Sequence, residues 1–228
     1  MALTLTDPTE RPWTGKETWG RTRVVEKLVT FDSSYDAGGE TLTAAAFGLT
    51  SLWDVKVQNK NGYAFEWSPT TGATGLLIAK PQLTSVVETI TKANATDVTT
   101  TGTRDFTTTI PAGSMIVGWR ANTTGAWTGD TSAVIQIGVS GDLDRFTADT
   151  TSSVFATGID GSTALAADAQ DGISATITPR ITITSAADFT NTSAGGSTTC
   201  EVFYIPPGLP LADLSTLVAS ARVVAYGL

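Results

Sequence analysis

The sequence predicts an all-β protein of the sandwich or jelly-roll type. Two observations lead there. Short runs alternating apolar and polar residues recur along the 228 residues, each bounded by Gly, Pro, Asn, Asp or Ser. Charged residues make up only 16%, well below the usual quarter, and Thr, Ser, Ala and 22 Gly fill the gap. Thr is β-branched and carries a hydroxyl, which suits the half-exposed face of a strand.

The elements follow in order. Residues 1–20, MALTLTDPTERPWTGKETWG, hold two Pro, two Gly and two Trp with no sustained period and read as an extended arm. VVEKLVTF (24–31) begins the first strand, and DSSYDAGGE is a loop of turn formers. TLTAAAFGLT holds one short helical turn around Ala44–Ala46, too short to stand alone. In SLWDVKVQNKNGYAFEW (51–67), Trp53, Val55 and Val57 alternate with polar residues and are expected on the buried face. Asn61-Gly62 supplies positive φ for a tight hairpin into Tyr63, Phe65 and Trp67. LLIAKP is the next strand.

VTTTGTRDFTTTIPAGSMIVGWRA reads as two strands joined by Pro111-Ala112-Gly113, and TSAVIQIGVSG as another. Residues 141–172 read as loop. ISATITPRITIT gives one or two strands, STTCEVFYI another, and a last strand spans about Ala219–Tyr226. No exact repeat is present.

Hydrophobic residues make up 41% and mean hydropathy is +0.07, so the chain can bury a core in one large domain or two smaller ones. The net charge of -8 argues against nucleic acid, whose phosphates call for Lys and Arg. The charge is uneven. Arg11, Lys16, Arg21, Arg23 and Lys27 crowd the amino end, whereas Asp residues dominate from Ala121 to Cys200. No run approaches the ~20 apolar residues of a membrane-spanning helix, no signal-peptide layout opens the sequence, and no membrane partner is expected.

Reactive chemistry is sparse. Without any His there is no Ser-His-Asp triad, Cys-His pair or histidine-bearing zinc site. No Gly-rich loop precedes Lys-Ser/Thr, so no phosphate cradle is expected. Asp142, Asp144 and Glu201 are the candidate carboxylates for hydrolysis, and Asp142 with Asp144 for calcium, against a plain reading as solvated turn residues. Cys200 is expected as a small buried hydrophobe. Asn94, Asn122 and Asn191 open glycosylation triplets to which no role is assigned. The expectation is a non-enzyme without cofactor or metal. Trp13 and Trp19, with Arg11, Lys16, Arg21 and Arg23, are the candidate partner-docking residues, since aromatics and Arg anchor interfaces. The competing reading folds the arm back on its own domain.

VVEKLVTFDSSYDAGGETLTAAAFGLTSLWDVKVQNKNGYAFEW followed by LLIAKP resembles small phage virion proteins, whose pattern is a strand, TFDSSYxxGGExLTAAxxGL, a strand, then GYxFEW/Y. LSTLVASARVVAYG looks like their closing strand. TTIPAGSMIVGWRANTTGAWTGDTSAVIQIGVSGDLDRF through CEVFYI resembles a second module of phage structural proteins, with PAGAxVxGV and a GDxDRF turn. The resemblance implies a β domain of 21–84 plus 208–228, capsid-proximal, and an inserted, outward-facing β-sandwich of 85–207, after the arm of 1–20. It implies a capsid decoration (cement) protein on the virion surface, assembled in the bacterial host cytoplasm. The major capsid protein and the chain itself, as a homotrimer, are then its partners. The alternative is a head fibre, spike or tail-associated protein touching the host, with Trp119 or Trp127 as an aromatic shelf for sugars.

Overall fold

The computed structural model describes residues 3–6, 16–19, 22–33, 35, 38–147, 152–162, 173–208 and 214–228. Its strands pair antiparallel in four sheets. Two units share the chain: Met1–Gln82 with Pro207–Leu228, and Leu83–Pro206. Each closes around its own apolar core.

The first unit contains β1 (Thr4–Thr6), β2 (Lys16–Trp19), β3 (Thr22–Thr30), β4 (Glu40–Thr43), β5 (Leu52–Val57), β6 (Tyr63–Pro69) and β7 (Thr74–Pro81). The second contains β8 (Thr84–Thr91), β9 (Thr96–Val98), β10 (Thr101–Asp105), β11 (Met115–Gly125), β12 (Ala133–Gly138), β13 (Ser152–Ser153), β14 (Gly158–Ser162), β15 (Arg180–Ser185) and β16 (Ser197–Ile205). A one-turn helix, α1 (Leu214–Leu217), and β17 (Ser220–Gly227) belong to the first unit again.

In the first unit β17 lies between β3 and β5, with β1 and β2 both on the far edge of β3. The second sheet runs β4-β7-β6. Val25, Val29, Leu52, Val55, Val223 and Ala225 from one sheet meet Leu42, Tyr63, Leu77 and Ala79 from the other. Each fully buried aliphatic side chain contributes about 1.5–3 kcal/mol.

The helical turn expected near Ala44 is a 3-10 turn, Ala44–Phe47. The Thr43 hydroxyl accepts from Ala46 N–H at its start, and Gly48 closes it at φ 68, a left-handed conformation costly for a residue with a Cβ. Phe47 is thereby pinned fully inside. Tyr35 has a second structural task. Its hydroxyl donates to Leu77 O (3.1 Å) and accepts from Ala79 N–H (2.6 Å), continuing the β7 ladder where β4 stops at Glu40.

Asn61 and Gly62 both take positive φ (51° and 81°), and Lys60 and Tyr63 exchange two 3.0 Å backbone bonds. The expected hairpin ends there. β5 pairs with β17 and β6 with β7, so the turn hands the chain from one sheet to the other. The face expected for β5 also shifts. A bulge between the pairs Tyr226↔Asp54 and Gly227↔Leu52 slips the register by one residue. Leu52 turns inward (3% exposed) and Trp53 outward (52%), while Val55 keeps its inward place.

The second unit is a sandwich of β13-β12-β15-β10-β9 against β14-β11-β16-β8. Ile135, Ile137, Ile181 and Ile183 of the first sheet face Val86, Ile90, Trp119, Ala121, Cys200 and Val202 of the second. The strands flanking Pro111–Gly113 are present, but β10 and β11 lie in different sheets. Residues 141–172, expected as loop, carry β13 and β14. β8, which no strong signal marked, pairs with β16 over eight residues.

Glu88 of β8 crosses to the other sheet. It accepts from Thr107 N–H (2.8 Å) and Oγ1 (2.7 Å) and pairs with Arg104 (3.4 Å). Burial opposes its charge, but these partners outweigh it and hold the carboxyl below its ordinary range. Arg180 clasps Asp105, its cross-strand partner, with two bonds of 2.6 and 3.0 Å. Those bonds from Arg180 lower the Asp105 pKa against the opposing effect of burial.

Candidate interaction surface

Of the carboxylate candidates, Asp142 and Glu201 make defined contacts within the second unit. Asp142 lies in the two-residue turn at Ser140-Gly141, where Val139 and Asp142 exchange backbone bonds of 2.7 and 3.1 Å. The turn leads to Phe146, which is fully buried and donates its N–H to Ile137 O (3.0 Å). Among the described residues no three Asp, Glu, Cys or His side chains gather into a metal-binding group. Asp142, Asp144 and Glu201 therefore form no such cluster with one another. Glu201 accepts from Ser85 Oγ (2.7 Å) and pairs with Arg120 (2.7 Å), directly opposite on β11.

The proposed aromatic shelf is overturned. Trp127 is fully buried, donates Nε1–H to Thr198 Oγ1 (2.9 Å) and packs at a tilt against Phe189, ring centroids 5.7 Å apart. Trp119 is 7% exposed and belongs to the core. The reason is strand parity: Trp119 shares its side of β11 with buried Ala121 and Thr123. Cys200 is buried, and desolvation pushes its thiol pKa far up. Asn94 braces the end of β8, accepting from Thr91 N–H (2.8 Å) and donating to Thr89 O (3.0 Å).

Arg11, Trp13 and Arg21 lie outside the described residues. Lys16 and Trp19 sit on β2, their backbones paired with Val25 and Thr22. Arg23, on β3, is exposed and pairs with Thr18 and Gly227. The described parts of the segment 1–20 are thus strands along β3, with Leu3 and Leu5 packed on the core.

Sequence reasoning missed the outer face of β14-β11-β16-β8. Register fixes its rows. Arg120 lies between Glu201 and Gly161, with Val87 beyond Glu201. Phe203 lies between Gly118 and Ser85. Met115 lies beside Ile205. Ile159 (71% exposed), Leu83 (59%), Met115 (55%) and Val87 (51%) stand out from it, in a place where an ordinary solvated sheet carries polar residues. A depression of about 630 Å³ opens over Gly118 and Gly161, between Ile159, Arg120, Phe203 and Leu83. A Cβ on Gly161 would meet Trp119 O at 2.7 Å, so the backbones approach closely beneath it. The signal available in the sequence was apolar residues at the alternate positions Phe203 and Ile205, on the strand side opposite Val202 and Tyr204.

No family model matches the chain, and no curated protein does. Among solved structures, it is similar to a chain of the cyanophage Pam1 capsid asymmetric unit. Identity is 19% over 55% of this chain and 84% of that one, with a TM-score of 0.34. A chain of the infectious bursal disease virus VP2 subviral particle shares 15% over 99% and 60%, at 0.30. Arthrobacter globiformis T6 isomalto-dextranase, complexed with panose, shares 13% over 80% and 34%, at 0.25. Similarities of this size leave fold and function to be argued from the chain itself.

Proposed function

We propose that this chain is a structural protein of a phage particle that binds the assembled capsid and stabilises it, as a decoration or cement protein does. The observation that carries the reading is the string TFDSSY–GGE–LTAA–GL, which resembles strings in small phage virion proteins. In the first unit the segment carrying this string supplies the Tyr35 ladder contact, β4 and the capped 3-10 turn, and the string itself supplies the buried Phe31, Leu42 and Leu49. The work is done by contact, with no bond made or broken. A protein that binds only the assembled lattice stabilises that state by mass action, and modest contacts repeated over many sites add up.

The partner is the major capsid protein. The segment with Arg11, Trp13, Lys16, Trp19, Arg21 and Arg23 is its docking element, rich in the residue types that anchor interfaces. A head fibre, spike or tail-associated protein is the alternative, and a sugar shelf on it would need residues other than Trp119 and Trp127, which are buried.

Deleting 1–20 strips two strands from the edge of β3, so substitutions are the cleaner test. We expect the chain to be a virion component by mass spectrometry of purified particles. We expect Arg11→Glu with Trp13→Ala to leave it folded and to abolish its addition to capsids lacking it. Full occupancy by that variant removes the docking assignment. Absence of the chain from particles removes the whole reading.

A further inference from the structure

Seven large hydrophobic side chains are exposed among the described residues, and Leu83, Val87, Met115 and Ile159 fall on or at the end of the β14-β11-β16-β8 face. Half-buried Val117, Phe203 and Ile205 join them. Large apolar side chains gathered on one exposed face of a monomer are often functional.

We propose that this face is the surface by which the chain binds a second copy of itself. The first argument is shape. One face carries both a knob and a hole: Ile159 projects at its rim, and the glycine-floored depression lies beside it. A self-complementary patch is what two copies related by symmetry require, since each residue meets its counterpart's partner in turn.

The second argument is charge. Leu83–Pro206 carries twelve Asp and Glu against five Lys and Arg, so two such units repel over most of their surface. This face is the exception. Its central Arg120 and Glu201 neutralise each other at 2.7 Å, and Ser85 fills the second carboxylate oxygen. Asp160 borders the depression on the edge strand β14, opposite inward-facing Ala121, where its carboxylate is exposed to water. Interfaces between identical chains are poor in net charge, and this face carries one self-neutralised pair among exposed Leu83, Val87, Met115 and Ile159.

The proposal does not depend on the capsid reading. Sedimentation equilibrium of the full chain tests it, with Ile159→Lys, Val87→Lys and, as a control on the other sheet, Val98→Lys (55% exposed in the native chain). All three positions point to solvent, so circular dichroism and thermal midpoint are expected to match the parent. We expect the parent to associate and the first two variants to raise its dissociation constant at least tenfold, with Val98→Lys unchanged. A parent that stays monomeric up to about 100 μM, where even micromolar contacts are populated, overturns the proposal. So does association that Ile159→Lys and Val87→Lys leave intact, or that Val98→Lys weakens equally. Failure here leaves capsid addition untouched, and failure of capsid addition leaves self-association standing.

Discussion

Replacing Tyr35 by Phe removes one oxygen and leaves the ring in place. That oxygen serves two backbone groups, donating to Leu77 O and accepting from Ala79 N–H. β4 runs only as far as Glu40 opposite Leu77, so no strand residue is at hand to satisfy Ala79. Tyr35, Leu77 and Ala79 are all buried, at 8%, 0% and 3% exposure, which keeps water from substituting. An orphaned buried donor or acceptor costs about 1–3 kcal/mol, and the carbonyl, with two lone pairs, loses less than the N–H. The expected loss is about 2–3 kcal/mol. For a chain of this size that lowers the thermal midpoint by roughly 5–10 °C. Urea unfolding followed by tryptophan fluorescence measures it directly, and the slope is expected to stay constant, since no additional surface is exposed. A loss under about 0.5 kcal/mol, the level of an ordinary surface substitution, refutes the idea that Tyr35 completes the β7 ladder.

Two further outcomes follow from charged and buried groups. Glu88 and Asp105 have folded pKa values below their unfolded ones, so their stabilisation is complete above the ordinary carboxylate range and is lost as pH falls through the lowered folded values. Urea midpoints are expected to fall on acidification from neutral pH towards about pH 3, and Glu88→Gln to flatten that fall while lowering the neutral-pH midpoint. A slope unchanged by Glu88→Gln contradicts the assignment. The Cys200 thiol, buried and held protonated, is expected to resist a thiol reagent in the native chain and to react only in step with unfolding; prompt native reaction contradicts its placement.

Local chemistry was legible where the cause is local. Asn61-Gly62 announces a positive-φ turn, and the Ala44–Ala46 cluster a short helical turn, because the residues involved lie within a few positions. What lay beyond reading was set by distant partners. Whether Trp53 faces in or out is decided by a bulge opposite Tyr226 and Gly227, in a strand that the chain reaches only after the whole second unit. The same alternation that makes Val55 a core residue therefore misplaces its neighbour. Trp119 and Trp127 carry the residue type of a binding shelf, yet strand parity and a partner at Thr198 place them inside. The outer face escaped for the converse reason. Phe203 and Ile205 read as more core in a run whose alternate residues, Val202 and Tyr204, are also apolar.

The position of β17 between β3 and β5 bears on biosynthesis. Both neighbours leave the ribosome before Leu83–Pro206 does, and β17 after it. The nascent first unit must therefore wait, its sheet open at the centre, while the intervening stretch is translated and closes on contacts of its own. A ribosome that stalls before Ser220 releases a polypeptide with one finished unit and two unpaired strand edges, a form that proteases and chaperones can recognise.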